Sequence, residues 1–264
     1  MTQRVAIVIG GGPAGAASAA VLCARGWKTT VIERSEGAHA KCCGECLVAR
    51  AAPMLRVLGL GAALDEAVCA RTRQVRVHDV RRAGGAAQTL RMVQEFGAHG
   101  CGFVVPRARF DAAMLAGAAR LGASVERGAG ARVLLAPGAR PVVERRNGVR
   151  SEADLVIGAD GAGSAVARAA GLAPLRPGRK FGFACTWDAA PAAALAEIPG
   201  ESIEMLVAVG GYLGLVRRGC AVHAAALVDS RTPLAGPPAR VLEFFAARHA
   251  GVSALVASGA PAME

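Results

Sequence analysis

The chain has 264 residues, of which 53% are hydrophobic, and its 31 basic against 20 acidic residues give a formal net charge of +11. Mean hydropathy is +0.37, but the apolar excess is mostly Ala, and Gly and Arg interrupt the runs well short of the ~20 residues that a membrane-spanning helix needs. The basic residues are mostly Arg, scattered along a chain with 4% aromatic residues, which does not favour nucleic-acid binding. We expect a cytoplasmic protein with no transmembrane segment.

The first 33 residues predict a strand, a glycine turn, a helix and a second strand. Residues 4–9 are rich in β-branched side chains and run into glycines, which is typical of a buried parallel strand and too short for the core of a secretory signal. Residues 13–25 are Ala-rich, with Pro where a first helical turn tolerates it and Gly26 as a C-terminal stop. Residues 28–33 predict the second strand. The connection is the right-handed crossover that parallel strands require.

The remaining segments are less regular until residue 174. Further helices are predicted at 49–58, 109–121, 164–170 and 238–248. Two antiparallel strands are predicted at 74–80 and 87–93 around Gly84-Gly85, and a short buried strand at 154–158. After Pro174 the pattern changes to longer strands, which are predicted at 181–187, 202–209, 212–217 and 221–228. The residues after 248 form a weak Ala/Gly/Ser tail.

The glycine turn carries the most specific pattern in the chain. Gly10, Gly12 and Gly15 form G-x-G-x-x-G between a strand and a helix, and Glu33 follows about 20 residues later at the end of the next strand. The first glycine allows a tight turn, the second lets the backbone approach a pyrophosphate, and the third lets helix and strand pack closely. Glu33 would accept hydrogen bonds from ribose hydroxyls and would repel a 2′-phosphate. The pattern predicts a dinucleotide site.

Four ordered segments of the chain resemble the flavoprotein monooxygenase (p-hydroxybenzoate hydroxylase-like) and geranylgeranyl reductase superfamily. These segments are Val8–Gly15 followed by Val31–Arg34, Lys41–Leu47, Arg107–Asp111 and Leu155–Ser164. The second is similar to the Lys-x-Cys-Gly-Glu segment that lies against the flavin in geranylgeranyl-reductase-like members. The third and fourth are similar to the family's Arg-x-x-Phe-Asp and Gly-Ala-Asp-Gly segments.

This resemblance implies an α/β fold, with a Rossmann-type FAD-binding domain and a mostly antiparallel substrate domain. FAD would be the cofactor, NAD(P)H the reductant, and a small organic molecule the substrate, either reduced at a C=C bond or hydroxylated. The FAD-binding domain would comprise 1–70 and 95–171, and the substrate domain 71–94 and 172–264. The cofactor-binding residues implied are Gly10, Gly12, Pro13, Ala14, Gly15, Glu33, Arg34, Lys41, Gly44, Arg107, Asp160 and Gly161, and Cys43 is the implied catalytic residue at the flavin face.

The chain departs from the family at one motif. The family carries a late Gly-Asp motif whose Asp holds the ribityl chain of FAD, and no Gly-Asp dipeptide occurs in this sequence. We therefore expect a C-terminally truncated form with an incomplete substrate domain. One alternative function is a non-catalytic remnant that binds a dinucleotide weakly.

The cysteine cluster leaves further alternatives open. Cys43 and Cys46 form a C-x-x-C pair, which favours a flavin-linked thiol oxidoreductase if the two thiols are redox-active. His39 and Cys42 lie close enough in sequence to suggest a metal site, but no second ligand cluster follows, and we predict no metal. The third interpretation is that Cys43 matches the family cysteine, while Cys42 and Cys46 are small apolar residues in a buried loop.

Overall fold

The computed structural model describes residues 3–37, 41–81, 89–96, 100–172 and 178–263. Its helices are α1 (Pro13–Ala24), α2 (Ala51–Val57), α3 (Gly61–Ala67), α4 (Arg107–Arg120), α5 (Ala165–Ala169), α6 (Ala192–Glu197), α7 (Pro238–Ala246) and α8 (Ala250–Ala257). Its strands are β1 (Val5–Ile9), β2 (Lys28–Ile32), β3 (Cys46–Leu47), β4 (Ala70–Thr72), β5 (Gln74–Asp79), β6 (Thr89–Glu95), β7 (Gly102–Val104), β8 (Ser124–Glu126), β9 (Ala131–Leu134), β10 (Val142–Arg145), β11 (Arg150–Glu152), β12 (Leu155–Gly158), β13 (Lys180–Trp187), β14 (Ser202–Ala208), β15 (Gly211–Arg218), β16 (Ala221–Asp229) and β17 (Ala262–Met263).

The chain divides into two compact units. Unit 1 comprises Met1–His39, Ala52–Ala67 and Ala108–Arg176. Unit 2 comprises Ala40–Ala51, Val68–Arg107 and Pro177–Glu264. The predicted Gly84-Gly85 turn, His39 and Pro174 lie outside the described residues.

Unit 1 is built on a parallel sheet in the order β12-β1-β2-β8. At its centre Val8 pairs with Val31 of β2 and with Ile157 of β12. Residues 6–9 are buried, as expected for a central strand covered on both faces. Helix α1 connects β1 to β2, so the predicted βαβ unit is confirmed. Gly26 follows α1 with φ +75°, and its N–H donates to the carbonyl of Cys23, so the predicted helix stop is also confirmed.

A small antiparallel sheet extends unit 1. Its strand order is β11-β10-β9. Val133 and Val143 from this sheet share one core with Ile7, Ile9 and Ile32 of the parallel sheet. The sequence analysis did not predict these three strands, because each has at most four residues and lacks a clear apolar alternation.

Unit 2 is built on a seven-stranded sheet in the order β17-β13-β16-β15-β14-β5-β6. All neighbouring strands are antiparallel except β14 and β5, which are parallel. Helices α6, α7 and α8 contribute side chains to the core against this sheet, where Phe245, Leu255 and Leu206 are fully buried. The predicted antiparallel pairing of β5 and β6 is confirmed. The predicted α/β class, with a Rossmann-type unit and a mostly antiparallel sheet, is therefore confirmed.

The expected weak tail after residue 248 is wrong. Residues 250–257 form α8, whose Val252 and Leu255 are buried in the unit 2 core. Ala is the strongest helix former, and tertiary packing supplies most of the stability of a short helix. None of the described helices combines the length and apolar character needed to cross a membrane.

Helix α8 begins at a buried histidine. The Nδ1 atom of His249 accepts a hydrogen bond from the Val252 backbone N–H at 3.3 Å, which makes His249 the N-cap. Its ring meets the His78 ring edge to face, with centroids 5.2 Å apart. Burial, together with the neighbouring His78, lowers the pKa of His249 to about 4. The neutral ring is therefore the form that caps α8.

Replacement of His249 by Asn should flatten the dependence of stability on pH. As pH falls, the unfolded chain protonates His249 near its ordinary pKa of 6.5, while the folded chain resists protonation down to about 4. The wild type should therefore lose about 2 kcal/mol more than His249→Asn between pH 7.5 and pH 4.5, because Asn keeps a capping oxygen but does not titrate. Urea unfolding at both pH values measures this difference. Parallel pH profiles would contradict it.

Candidate dinucleotide-binding site

The turn after β1 tolerates no side chain at two of its glycines. Gly10 has φ +103°, and a methyl group there would lie 2.3 Å from the carbonyl oxygen of Ala159. A methyl group on Gly15 would lie 1.9 Å from the carbonyl oxygen of Gly10. Both distances are far inside van der Waals contact, so the turn requires glycine at each position. The segment after β12 and the start of α1 can approach β1 closely only for this reason.

The middle glycine, Gly11, was missed by the sequence analysis. Its N–H donates to the Glu33 carboxylate at 2.6 Å. A methyl group on Gly11 would lie 2.8 Å from Leu115 and 3.1 Å from the Glu33 side chain. The run of three consecutive glycines was the available signal, since the G-x-G-x-x-G pattern leaves this position free.

Helix α1 begins with no side chain capping its N-terminus. Gly12 is the N-cap, Pro13 follows in the first turn, and that turn contains no acidic residue. Ala14 is exposed. The N–H groups and the positive end of the helix dipole therefore meet no side-chain anion within α1, which is the arrangement that binds phosphate.

Glu33 lies at the end of β2 and bonds to the glycine turn. Its carboxylate accepts hydrogen bonds from the N–H groups of Gly11 and Ser35, at 2.6 and 2.9 Å. A carboxylate oxygen can accept more than one hydrogen bond. The following residue, Arg34, is exposed. The predicted ribose contact is compatible with this geometry and stays a prediction.

Asp160 and Gly161 follow β12, next to the contact of Ala159 with Gly10. The Asp160 carboxylate accepts hydrogen bonds from the Ser164 hydroxyl at 2.5 Å and from the Ala165 N–H at 2.6 Å. Burial alone would raise the pKa of Asp160, but the hydrogen bonds from the start of α5 outweigh it and lower the pKa. Asp160 thus holds the N-terminus of α5, and its predicted cofactor contact stays a prediction. Gly161 is exposed with φ +86°.

The segment 41–47, which we call the cysteine loop, lies in unit 2. Lys41, Cys43 and Gly44 are half-buried, and Cys42 is exposed. A methyl group on Gly44 would meet nothing within 4 Å, and its φ is not in the left-handed region. Neither packing nor backbone conformation within the chain therefore requires glycine at this position.

Glu45 in this loop was also missed by the sequence analysis. Its side chain is buried, its Oε1 accepts a hydrogen bond from the Arg107 N–H at 3.0 Å, and its Oε2 lies 3.0 Å from Arg218 Nη1. Arg107 is thus held at the first residue of α4 through its backbone. The predicted contact of the Arg107 side chain with the cofactor stays a prediction.

The Cys46 thiol is not suited to act as the attacking nucleophile. The Cys46 thiol donates to the Gly44 carbonyl at 3.0 Å, and burial, with Cys43 and Glu45 nearby, raises the pKa of Cys46 to about 12. A nucleophilic thiol requires the opposite shift. The geometry favours Cys46 as a half-buried packing residue, and a thiol oxidoreductase that acts through Cys43 stays an alternative.

Among the described residues, His78, Glu204 and His249 form the one cluster close enough to consider for a metal. Glu204 is already bonded to the Ser202 hydroxyl, to Arg76 and to His78 Nε2, the last at 2.5 Å. The Arg76 guanidinium and the N-terminus of α8 are both positive, so the electrostatics disfavour a further cation. We interpret the cluster as a polar part of the unit 2 core.

The chain belongs to the FAD binding domain family, because its residues 2–207 match the model of that family. The matched range contains β1, α1 and β2 of unit 1 and also extends through parts of unit 2. The glycine turn, the uncapped start of α1 and Glu33 fit the ADP half of FAD.

Solved structures share the fold at low identity. A mutant of halogenase PltM, solved in complex with FAD, superposes with a TM-score of 0.82 at 15% identity, over 100% of this chain and 59% of that chain. A mutant of 2-methyl-3-hydroxypyridine-5-carboxylic acid oxygenase gives 0.70 at 18% identity, over 100% and 70%. A geranylgeranyl bacteriochlorophyll reductase-like protein from Thermoplasma acidophilum gives 0.65 at 21% identity, over 86% and 57%.

A curated relative matches over a short stretch only. The bifunctional protein MnmC of Pseudomonas paraeruginosa, named for tRNA 5-methylaminomethyl-2-thiouridine biosynthesis, is 63% identical over 35 residues. That stretch covers 13% of this chain and 5% of the relative. The chain thus spans little of this relative and about three fifths of the halogenase, 59% of its length.

Replacement of Gly15 by Ala should destabilise unit 1 strongly. Gly to Ala inside a helix ordinarily stabilises by up to about 1 kcal/mol, but here the new methyl group would lie 1.9 Å from the Gly10 carbonyl. We expect a loss of about 3 kcal/mol, measured by urea unfolding. Gly37→Ala is the control, since a methyl group there meets nothing within 4 Å. Equal stabilities of the two variants would contradict the close contact.

The thiols of the cysteine loop should differ sharply in reactivity. At pH 8 a thiol with a pKa of about 12 is only ~0.01% thiolate, so Cys46 should resist iodoacetamide while the exposed Cys42 is alkylated. Peptide mass spectrometry over a time course measures both rates. Rapid alkylation of Cys46, or ready formation of a Cys43–Cys46 disulfide under a mild oxidant, would revive the thiol oxidoreductase alternative.

Proposed function

We propose that the chain holds FAD and is part of an FAD-dependent oxidoreductase that takes electrons from NAD(P)H. The observation that carries this proposal is the start of α1. The turn that leads into this helix requires glycine at Gly10 and Gly15 for steric reasons, and no side chain caps the helix. The Glu33 carboxylate lies at the adjacent end of β2. Membership of the FAD binding domain family supports FAD over other dinucleotides.

In this proposal unit 1 binds the ADP half of FAD. The pyrophosphate binds to the backbone of the glycine turn and the start of α1, which comprise Gly10, Gly12, Pro13, Ala14 and Gly15. Glu33 accepts hydrogen bonds from the ribose, and Arg34, Asp160 and Gly161 complete the surroundings of the cofactor. Because phosphate is held by backbone N–H groups and a helix dipole, it needs no lysine or arginine in the turn.

The flavin half is assigned to the cysteine loop and to Arg107. Lys41, Cys43 and Gly44 would face the ring, with Cys43 as the catalytic candidate, and Arg107 would contact the cofactor. This assignment is supported by the similarity of Lys41–Leu47 and Arg107–Asp111 to the family segments, and the open space at Gly44 is compatible with it. Segments 1–70 and 95–171 would form the FAD-binding domain, and 71–94 with 172–264 the substrate domain.

Flavin would supply the redox chemistry, and the protein would position it and exclude competing reactions. The substrate would be a small organic molecule, either reduced at a C=C bond or hydroxylated. Fold neighbours named as an oxygenase and as a reductase-like protein are compatible with both branches. The similarity of Lys41–Leu47 to the geranylgeranyl-reductase segment favours the reductase branch.

An absorbance spectrum of the purified chain, before and after addition of FAD and gel filtration, tests the proposal. We expect flavin bands that elute with the protein, and FAD-dependent oxidation of NADH or NADPH. Co-elution of FAD without any NAD(P)H oxidation would favour the non-catalytic alternative. A colourless protein that takes up no FAD would contradict the proposal.

Replacement of Gly44 by Ala should weaken FAD binding without affecting the fold. The added methyl group meets no atom of the described residues within 4 Å, so the midpoint of thermal unfolding should stay that of the wild type. If the ring packs on Gly44, FAD affinity should fall about tenfold, a change of about 1.4 kcal/mol, while ADP affinity stays unchanged. Flavin fluorescence titration measures the first and calorimetry the second, with Gly37→Ala as control. Equal FAD affinities would remove Gly44 from the site.

A further inference from the structure

The backbone of the cysteine loop is held in an unfavourable conformation. Glu45 has φ +53°, and it is the one non-glycine residue with a positive φ among the described residues. A long side chain in the left-handed region is uncommon and persists only where the surroundings impose it. The residue is also 3% exposed although it carries a charge.

The Glu45 carboxylate is held on both sides. One oxygen accepts the N–H of Arg107, and the other pairs with Arg218 Nη1, each at 3.0 Å. The Arg218 side chain is 18% exposed and the Glu45 side chain 4%. A buried carboxylate with a guanidinium and a backbone N–H as partners is compensated for its lost hydration.

Arg218 also begins a chain of hydrogen bonds that ends at the loop backbone. Its Nη2 donates to the Thr186 hydroxyl at 3.0 Å, which lies 2.9 Å from His223 Nδ1. His223 Nε2 lies 2.7 Å from the carbonyl oxygen of Cys43. Because that carbonyl can only accept, Nε2 of His223 carries a proton and donates it to the loop backbone.

These contacts orient three successive peptide groups of the loop. The carbonyl of Cys43 accepts from His223, that of Gly44 from the Cys46 thiol, and that of Glu45 from the Val105 N–H at 2.8 Å. A planar trans peptide points its N–H opposite to its carbonyl. The direction of the N–H groups of Gly44, Glu45 and Cys46 is therefore fixed as well.

We propose that Glu45, Thr186, Arg218 and His223, the Glu45 network, are positioning residues that preorganise the backbone of Cys43–Cys46 to receive the flavin ring. This inference rests on the proposed function, because it takes the cysteine loop as the flavin-facing segment. A rigid loop loses little conformational entropy when a ligand binds. The network therefore raises affinity for the flavin ring and leaves affinity for the ADP half unchanged.

Two substitutions at one position separate the effect on the loop from the effect on folding. Glu45→Gln removes the charge and keeps the strained backbone. Glu45→Gly removes the charge and also relieves the strain, so a comparison of the two variants shows whether a loss of stability comes from the backbone conformation. Arg218→Gln removes the other member of the pair, and Arg231→Gln is the matched control, since it breaks an exposed ion pair with Asp229 in the same unit.

The first readout needs no cofactor. Hydrogen exchange is measured by mass spectrometry on the peptide that covers the cysteine loop. This peptide should exchange about tenfold faster in Glu45→Gly and Arg218→Gln than in the wild type and Arg231→Gln. A tenfold change is expected when the loop loses about 1.4 kcal/mol of local stability. Unchanged exchange in both variants would overturn the inference, because the network would not control the loop.

The second readout compares ring and ADP binding. FAD affinity should fall about tenfold in the two variants while ADP affinity is kept, and the bound flavin spectrum should lose the fine structure of a rigid site. Faster exchange with FAD affinity and spectrum unchanged would overturn the positioning role and leave the proposed function intact. A wild-type chain that binds ADP and FAD equally well would instead refute the assignment of the flavin ring to this loop.

Discussion

The proposed cofactor site depends on the close approach of the glycine turn to the ends of its own strands. Methyl groups on Gly15 and Gly10 would lie 1.9 and 2.3 Å from backbone oxygens of Gly10 and Ala159. Only glycine permits this packing, and the packing in turn places the start of α1 directly after β1 with no side chain over it. Glu33 then bonds to the same turn through the Gly11 N–H. A positive helix end and a carboxylate are thus held together by backbone contacts, an arrangement suited to pyrophosphate and ribose.

In unit 2, the loop proposed to face the flavin is held by a different kind of interaction. Its glycine, Gly44, has room around it, and the surrounding backbone is held by a buried polar network instead of by steric fit. The hydrogen bond from Arg107 and the ion pair with Arg218 hold Glu45 in its left-handed conformation.

Much of the fold could be predicted from the sequence, and there are physical reasons why the other features could not. The βαβ unit, the α/β class and the longer strands follow from local patterns, because β-branched runs, glycines and prolines act over a few residues. Helix α8 was missed because its stability comes from the burial of Val252 and Leu255, which is a tertiary effect. Glu45, Arg218 and His223 were missed for the same reason, since residues 45, 186, 218 and 223 meet only in the folded chain. Gly11 was missed because the dinucleotide pattern leaves its position free, although its N–H makes the bond to Glu33.

Calorimetric titration with ADP and with ADP phosphorylated at its 2′-hydroxyl shows whether the glycine turn and Glu33 bind a nucleotide. We expect that ADP binds, that excess FAD displaces it, and that the 2′-phosphate weakens binding about tenfold or more through repulsion by Glu33. In Glu33→Gln that penalty should shrink, because the negative charge is gone while the side chain keeps its shape. Failure of ADP to bind, or equal affinity for the two nucleotides in the wild type, would show that the turn at Gly10–Gly15 and Glu33 do not form the site described.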